Sequence, residues 1–182
     1  MNIEFIKFED NEKNYKLMHK WCSKRYIYEW FEQRVLSYDE IVNKYKSKLS
    51  NSNQDIFLIY VDNIPIGYTQ IYEYDGKCYD IIKNKKVYEF DIFIGEEEYL
   101  SKGIGSKIID VLKDKIYNDY KTDYIILRPF MRNTRAVKCY MKNEFKKIDE
   151  YLGEDTLGNK EDIVVLLNEK NVKQLSFPLS SE

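Results

Sequence analysis

At 182 residues, 43% hydrophobic and 33% charged, the chain is long enough to bury one core, and no apolar run approaches the ~20 residues of a membrane-spanning helix. A net charge of −2 argues against general nucleic-acid binding. Three scattered cysteines (Cys22, Cys78 and Cys139) and a lone histidine, His19, suggest no disulfide framework, no metal site and no Ser/Cys–His triad, and point to a reducing cytoplasm.

Residues 2–8 alternate as a first strand and lack the shape of a signal peptide. Asp10-Asn11-Glu12 cap a helix carrying Tyr15, Leu17, Met18, Trp21 and Cys22. Arg25–Glu32 reads as an aromatic and acidic connection, and Ser37–Glu40 is a capping box for a helix to about Leu49. Strands over 55–61 and 64–72 flank a hairpin turn at Asp62-Asn63. Residues 74–85 read as an irregular loop or short helical turn, and Val87–Ile94 as a strand. A helix over 103–117, a strand over 123–128 stopped by Pro129 and a helix from Asn133 to about Asn143 follow. Residues 146–148 and 163–167 pair as a hairpin across an acidic loop. The expected organisation is one domain over 1–170 and a frayed or partner-bound tail over 171–182.

The most informative stretch is Tyr99–Lys107. A strand precedes it, Gly103 and Gly105 form a turn, and apolar residues then recur at helical spacing. Strand, glycine turn and helix suit a pyrophosphate: the glycines admit the phosphates, the first helical amides point at the anion, and Lys102 and Lys107 add charge. Alone, the glycine pair is weak. No Gly-Lys-Ser/Thr follows, and the third glycine of a dinucleotide fingerprint is absent.

A second segment, Asn133–Phe145, raises its weight. The two together resemble the GNAT superfamily of acyl-CoA-dependent N-acetyltransferases. In that family a Q/R-x-x-G-x-G/A turn holds the coenzyme A pyrophosphate. An N-x-x-A-x-x-x-Y-x-K-x-G-F helix lies beside the pantetheine. Here Leu100 replaces Gln/Arg ahead of Gly103 and Gly105. Asn133, Ala136, Tyr140, Lys142 and Phe145 fit the second pattern, with Glu144 in place of its glycine. The element order β-α-α-β-β-β-α-β-α-β-β also matches. The resemblance implies a mixed α/β fold, a twisted sheet of six or seven strands with splayed central strands and about four helices. It implies acetyl-CoA as cofactor, held by Phe93 or Ile94, Ser101, Lys102, Gly103, Ile104, Gly105, Ser106, Lys107, Asn133, Ala136 and Lys142.

The strings Pro65–Tyr72 and Ile27-x-Glu29-Trp30, Lys160-Glu161-Asp162, and the twelve-residue step from Asp91 to Gly103 resemble the aminoglycoside 6'-N-acetyltransferases. That resemblance implies a small cationic acceptor, with Asp91 at the acceptor amine as base or orienting carboxylate. It implies acceptor contacts at Glu29, Trp30, Gln70 and Tyr72, and Tyr140 near the thioester sulfur. A backbone amide at Phe93 or Ile94 would hold the oxyanion. One departure is Arg128, where that group commonly has an acid before the proline. An arginine there would repel an acceptor ammonium unless it turned away or paired with a carboxylate.

Charge placement agrees with an anionic cofactor and a cationic acceptor. Tyr99–Lys147 holds twelve Lys/Arg against five Asp/Glu, or +7. Glu73–Glu98 has eight acids against four lysines, or −4, and Asp149–Asp162 six acids against Lys160, or −5. Glu96-Glu97-Glu98 reads as a solvated loop. Other readings are transfer to a polyamine, a protein N-terminus or a siderophore precursor, or a catalytically silent acyl-CoA-binding module. A monomer or homodimer is expected.

Overall fold

The computed structural model describes residues 1–170. The tail expected over 171–182 lies outside them. In chain order the elements are β1 (Ile3–Lys7), α1 (Glu12–Cys22), α2 (Arg25–Tyr28), α3 (Tyr38–Ser50), β2 (Gln54–Val61) and β3 (Ile64–Glu73). There follow β4 (Val87–Ile94), α4 (Ile104–Asp119), β5 (Tyr124–Leu127), α5 (Thr134–Lys142), β6 (Lys146–Glu154) and β7 (Lys160–Glu169). The strands form one seven-stranded sheet in the order β1-β2-β3-β4-β5-β7-β6. Among the described residues only β4 and β5 pair in parallel.

Local chemistry accounts for the boundaries. The Asn11 side chain accepts the Asn14 amide at 2.9 Å to start α1. Ser37 and Glu40 form the expected capping box of α3. Asp62 and Asn63 both take positive φ, as a two-residue hairpin turn requires. Asn133 caps α5 by accepting the Ala136 amide. Where the sequence suggested a bare connection, Arg25–Tyr28 makes one helical turn, which brings the α-helices among the described residues to five. Strands β6 and β7 are also longer than expected, and the acidic loop shrinks to 155–159.

Helices pack on both faces of the sheet. On one, Tyr15, Met18, Trp21, Ile41 and Tyr45 from α1 and α3 meet Tyr68 and Phe93. On the other, Ile109, Leu112 and Ile116 of α4 and Tyr140 of α5 meet Phe90, Ile71 and Phe145. Among the described residues no helix is long and apolar enough to cross a membrane.

What positions the site is a parting in the middle of the sheet. Strand β4 pairs with β5 only over Val87–Glu89 against Tyr124–Ile126. β5 ends at Leu127, ahead of Pro129, while β4 runs on to Ile94. Past Glu89, β4 keeps β3 as a neighbour and has a gap on its other side.

Candidate active site

A cavity of about 420 Å³ opens at this parting, walled by the α2 region, α3, β3, β4 and the start of α5. Asp91 lies on its β4 wall, and the register places Gln70 of β3 directly opposite. The Gln70 amide N–H donates to Asp91 Oδ2, and the Tyr72 hydroxyl donates to the same oxygen at 3.3 Å. The Thr69 hydroxyl donates to the Asp91 carbonyl at 2.8 Å. Burial, then the Asp91 charge, pushes the Tyr72 hydroxyl far above its usual pKa, so it stays a donor.

The other end of Gln70 meets a residue that the sequence reading had not singled out. Lys48 of α3 donates its ammonium to Gln70 Oε1, which also accepts the Tyr68 hydroxyl at 3.1 Å. Burial and then the neighbouring Lys44 hold the Lys48 pKa below its ordinary value, against the pull of Asp91. The signal was in the sequence: Ile41, Lys44, Tyr45 and Lys48 sit at the i, i+3, i+4, i+7 positions of a buried helical stripe. Two lysines on such a stripe need a polar cavity. Lys44 pairs with Glu32, and both line it.

Arg128 forms a fork with Glu89, its Nε 3.0 and 3.1 Å from the two oxygens and its Nη2 2.6 Å from Oε2. The cation flagged in the sequence is therefore paired. Burial pushes the Glu89 carboxyl up to about 7 despite the guanidinium, whose own pKa the contact raises.

The parting also decides which β4 amides are available. The Tyr74 amide bonds the Val87 carbonyl, and the Gly95 amide bonds the Ile66 carbonyl. Odd-numbered residues of β4 thus exchange hydrogen bonds with β3, and even-numbered ones face β5. Of the two amides expected to hold an oxyanion, that of Phe93 is turned to β3 and that of Ile94 to the gap. Tyr140 lines the cavity opposite, its ring packed against Phe90 and Phe145 at 6.1 and 5.9 Å. Its hydroxyl has no hydrogen-bond partner among the described residues, and burial, then Asp91, pushes its pKa well up.

At the glycine turn Ser101 and Gly103 have φ of 59° and 73°, the left-handed region that glycine tolerates. The first intrahelical bond of α4 is Lys107 N–H to the Gly103 carbonyl, so the amides of Ile104, Gly105 and Ser106 precede it. No acidic side chain occupies this first turn, and Lys102 and Lys107 are exposed beside it. Ser106 is tied to Asn143, whose Nδ2 donates to its hydroxyl at 2.9 Å. Gap amides and an acid-free helix N-terminus fit an extended thiol arm carrying a pyrophosphate.

The structure thus brings Trp30, Gln70, Asp91, Phe93, Ile94, Asn133, Ala136 and Tyr140 to one cavity, with Tyr72 joined through Asp91. The Ser101–Lys107 turn and Lys142 lie outside its lining, as does Glu29, whose carboxylate is 3.9 Å from Arg25. Trp30 carries the Arg132 guanidinium over its ring at 4.7 Å, and Glu161 holds that guanidinium at 2.8 and 2.9 Å. Glu96 is no solvated loop residue: it accepts the Trp21 indole N–H at 2.8 Å and pairs with Lys20 at 2.6 Å. Among the described residues no group of side chains could hold a metal ion.

Residues 10–151 match the family described as an acetyltransferase (GNAT) domain. The chain belongs to the GNAT acetyltransferase family. It is 25% identical over 142 residues to an aminoglycoside N(6')-acetyltransferase type 1 of Klebsiella pneumoniae, covering 75% of this chain and 71% of the relative. Among solved structures it resembles AAC(6')-Ib in complex with paromomycin and acetyl-CoA, with a TM-score of 0.79 at 20% identity over 99% of this chain and 100% of that one. It also resembles spermidine N-acetyltransferase from Vibrio cholerae in complex with CoA and spermine, with a TM-score of 0.73 at 18% identity over 92% and 95%. These likenesses give the GNAT fold, and the seven-stranded sheet parting between β4 and β5 is the splay expected from the motifs.

Proposed function

We propose that this GNAT acetyltransferase moves acetyl from acetyl-CoA to a primary amine of a small acceptor, by direct attack in a ternary complex. The observation that carries this is the placing of Asp91, the Ile94 amide and Tyr140 around one cavity at the parting of the sheet. Acetyl-CoA supplies a thioester carbonyl that a neutral amine can attack. The arm lies in the gap, and Gly103 with the Ile104, Gly105 and Ser106 amides receives the pyrophosphate, helped by Lys102 and Lys107. Asn133, Ala136 and Lys142 flank the arm along α5. Asp91, fixed by Gln70 and Tyr72, draws in the acceptor ammonium and orients the amine once its proton has passed to solvent water. The Ile94 N–H stabilises charge on the carbonyl oxygen. The Tyr140 hydroxyl, protonated at neutral pH, donates to the departing sulfur.

A 6'-amine of an aminoglycoside is the first acceptor class. Its support is the similarity to the 6'-N-acetyltransferases and the Asp91, Gln70, Tyr72 and Trp30 set. A different amine is favoured by one observation: Glu32 and Glu89 are already paired inside the fold, and Lys48 faces the same cavity. Thiol release from acetyl-CoA, measured with aminoglycosides bearing a 6'-amine, their 6'-hydroxyl analogues, spermidine and simple amines, tests the reading. Turnover that needs a primary amine is expected. The Asp91→Asn variant should lose ~10²-fold or more in kcat while still binding acetyl-CoA. An unchanged kcat would remove Asp91 from the mechanism.

A further inference from the structure

Seven charged side chains line the cavity: Glu32, Lys44, Lys48, Glu89, Asp91, Arg128 and Arg135. Four cancel in place, Glu32 with Lys44 and Glu89 with Arg128. Arg135 is exposed in the first turn of α5. Asp91 and Lys48 remain, one of each sign.

They are close but do not close on each other. The Gln70 amide stands between them, its Oε1 taken by the Lys48 ammonium and its Nε2 bonded to Asp91. No carboxylate of the described residues lies within ion-pair distance of Lys48. An ammonium has three donors, and Lys48 spends one, on a neutral oxygen. A half-buried cation of this kind is costly until an anion arrives. It also repels a second positive charge placed beside it.

We propose that Lys48 determines the acceptor: it receives an anionic group, a carboxylate, on the same small molecule whose amine Asp91 holds. This rests on the acetyl-transfer reading above, departs from its aminoglycoside acceptor, and gives the different amine as an amino acid in the broad sense, a molecule with an amine at one end and a carboxylate at the other. The Gln70 amide is the spacer that keeps the two receptors apart. Burial and Lys44 lower the Lys48 pKa, and a bound carboxylate would offset both effects.

The test is kcat/KM by thiol release for amines matched with and without a carboxylate: γ-aminobutyrate against butylamine, δ-aminovalerate against pentylamine, and lysine against cadaverine, with kanamycin and spermidine alongside. Wild-type enzyme should prefer the carboxylate member of at least one pair by about tenfold or more, the scale of one charge-assisted hydrogen bond. Lys48→Met should erase that preference, mainly through KM, and Lys48→Arg should restore part of it. If Lys48 only steadied Gln70, Lys48→Met would lower both members of a pair equally, and the inference would fall. Turnover confined to kanamycin or spermidine would also overturn it while leaving acetyl transfer intact. Acetyl-CoA binding with no amine turned over would defeat the acetyl-transfer reading itself.

Discussion

Glu89 and Arg128 show how one substitution pattern is read only when both partners are seen. Arg128 stands where the sequence resemblance led to the expectation of an acid, but the chain supplies a carboxylate from β4 and forks the arginine onto it. The Glu89 side chain is 5% exposed and that of Arg128 is 27% exposed, so the carboxylate bears most of the desolvation. Its pKa is raised from 4.5 to about 7 in the fold. Between about pH 4.5 and 7 the folded state therefore holds a proton that the unfolded state releases, and above that window Glu89 is the anion that pairs with Arg128. This contribution to stability is complete below about pH 4.5 and lost as pH rises through about 7. Calorimetric Tm should fall across that window in the wild type relative to Glu89→Gln, and parallel profiles would contradict it. The motifs made Asp91, Tyr140 and Asn133 legible, because chemistry and spacing coincide there. For Lys48 the sequence carries only its place on a buried helical stripe, since its reach into the cavity depends on how α3 lies on the sheet. The choice between the Phe93 and Ile94 amides depended on strand parity, which needs the partner strand.

At the scale of elements, β3 and β4 form the rigid wall from which Asp91 and Gln70 project, and Gly67 lets them approach. A Cβ added at Gly67 would lie 2.3 Å from the Phe93 carbonyl oxygen and 3.2 Å from the Ile94 Cα, both backbone atoms. Gly67→Ala is expected to cost about 1–3 kcal/mol, read as a lower urea midpoint with an unchanged m-value. An unaltered midpoint would mean that β3 shifts aside freely. The strands with period two and the helices with a buried stripe were legible in the sequence. β6 was read too short because it is the sheet edge, largely exposed on both faces, and its acidic run carries no alternation. The single turn of α2 is too short for a periodicity to register.

Across the whole molecule, the charge segregation seen along the sequence survives folding only in part. Many acids of the two acidic stretches are paired internally: Glu96 with Lys20, Asp149 with Lys77, Glu161 with Arg132 and Glu154 with Lys160. Long-range steering of a cation by these flanks is weaker than the linear count suggests. The basic stretch keeps exposed lysines at the start of α4, where an anion would dock. A ligand lodged between β4 and β5 would hold the two halves of the sheet together. Saturation at a hundredfold excess over Kd is worth about 2.7 kcal/mol, or roughly 5–10 °C in Tm for a chain of this size. Scanning fluorimetry with acetyl-CoA should show that rise, and no shift would mean that the gap does not hold the arm.

The two indoles of this chain sit in unlike places. Trp21 is sealed in the interior with its N–H on Glu96, and Trp30 borders the cavity under the Arg132 guanidinium. Their emission is accordingly divided between two reports. One senses whether the protein is folded. The other senses whether anything has entered the cavity, so that an acceptor too slow to turn over can still be followed by light.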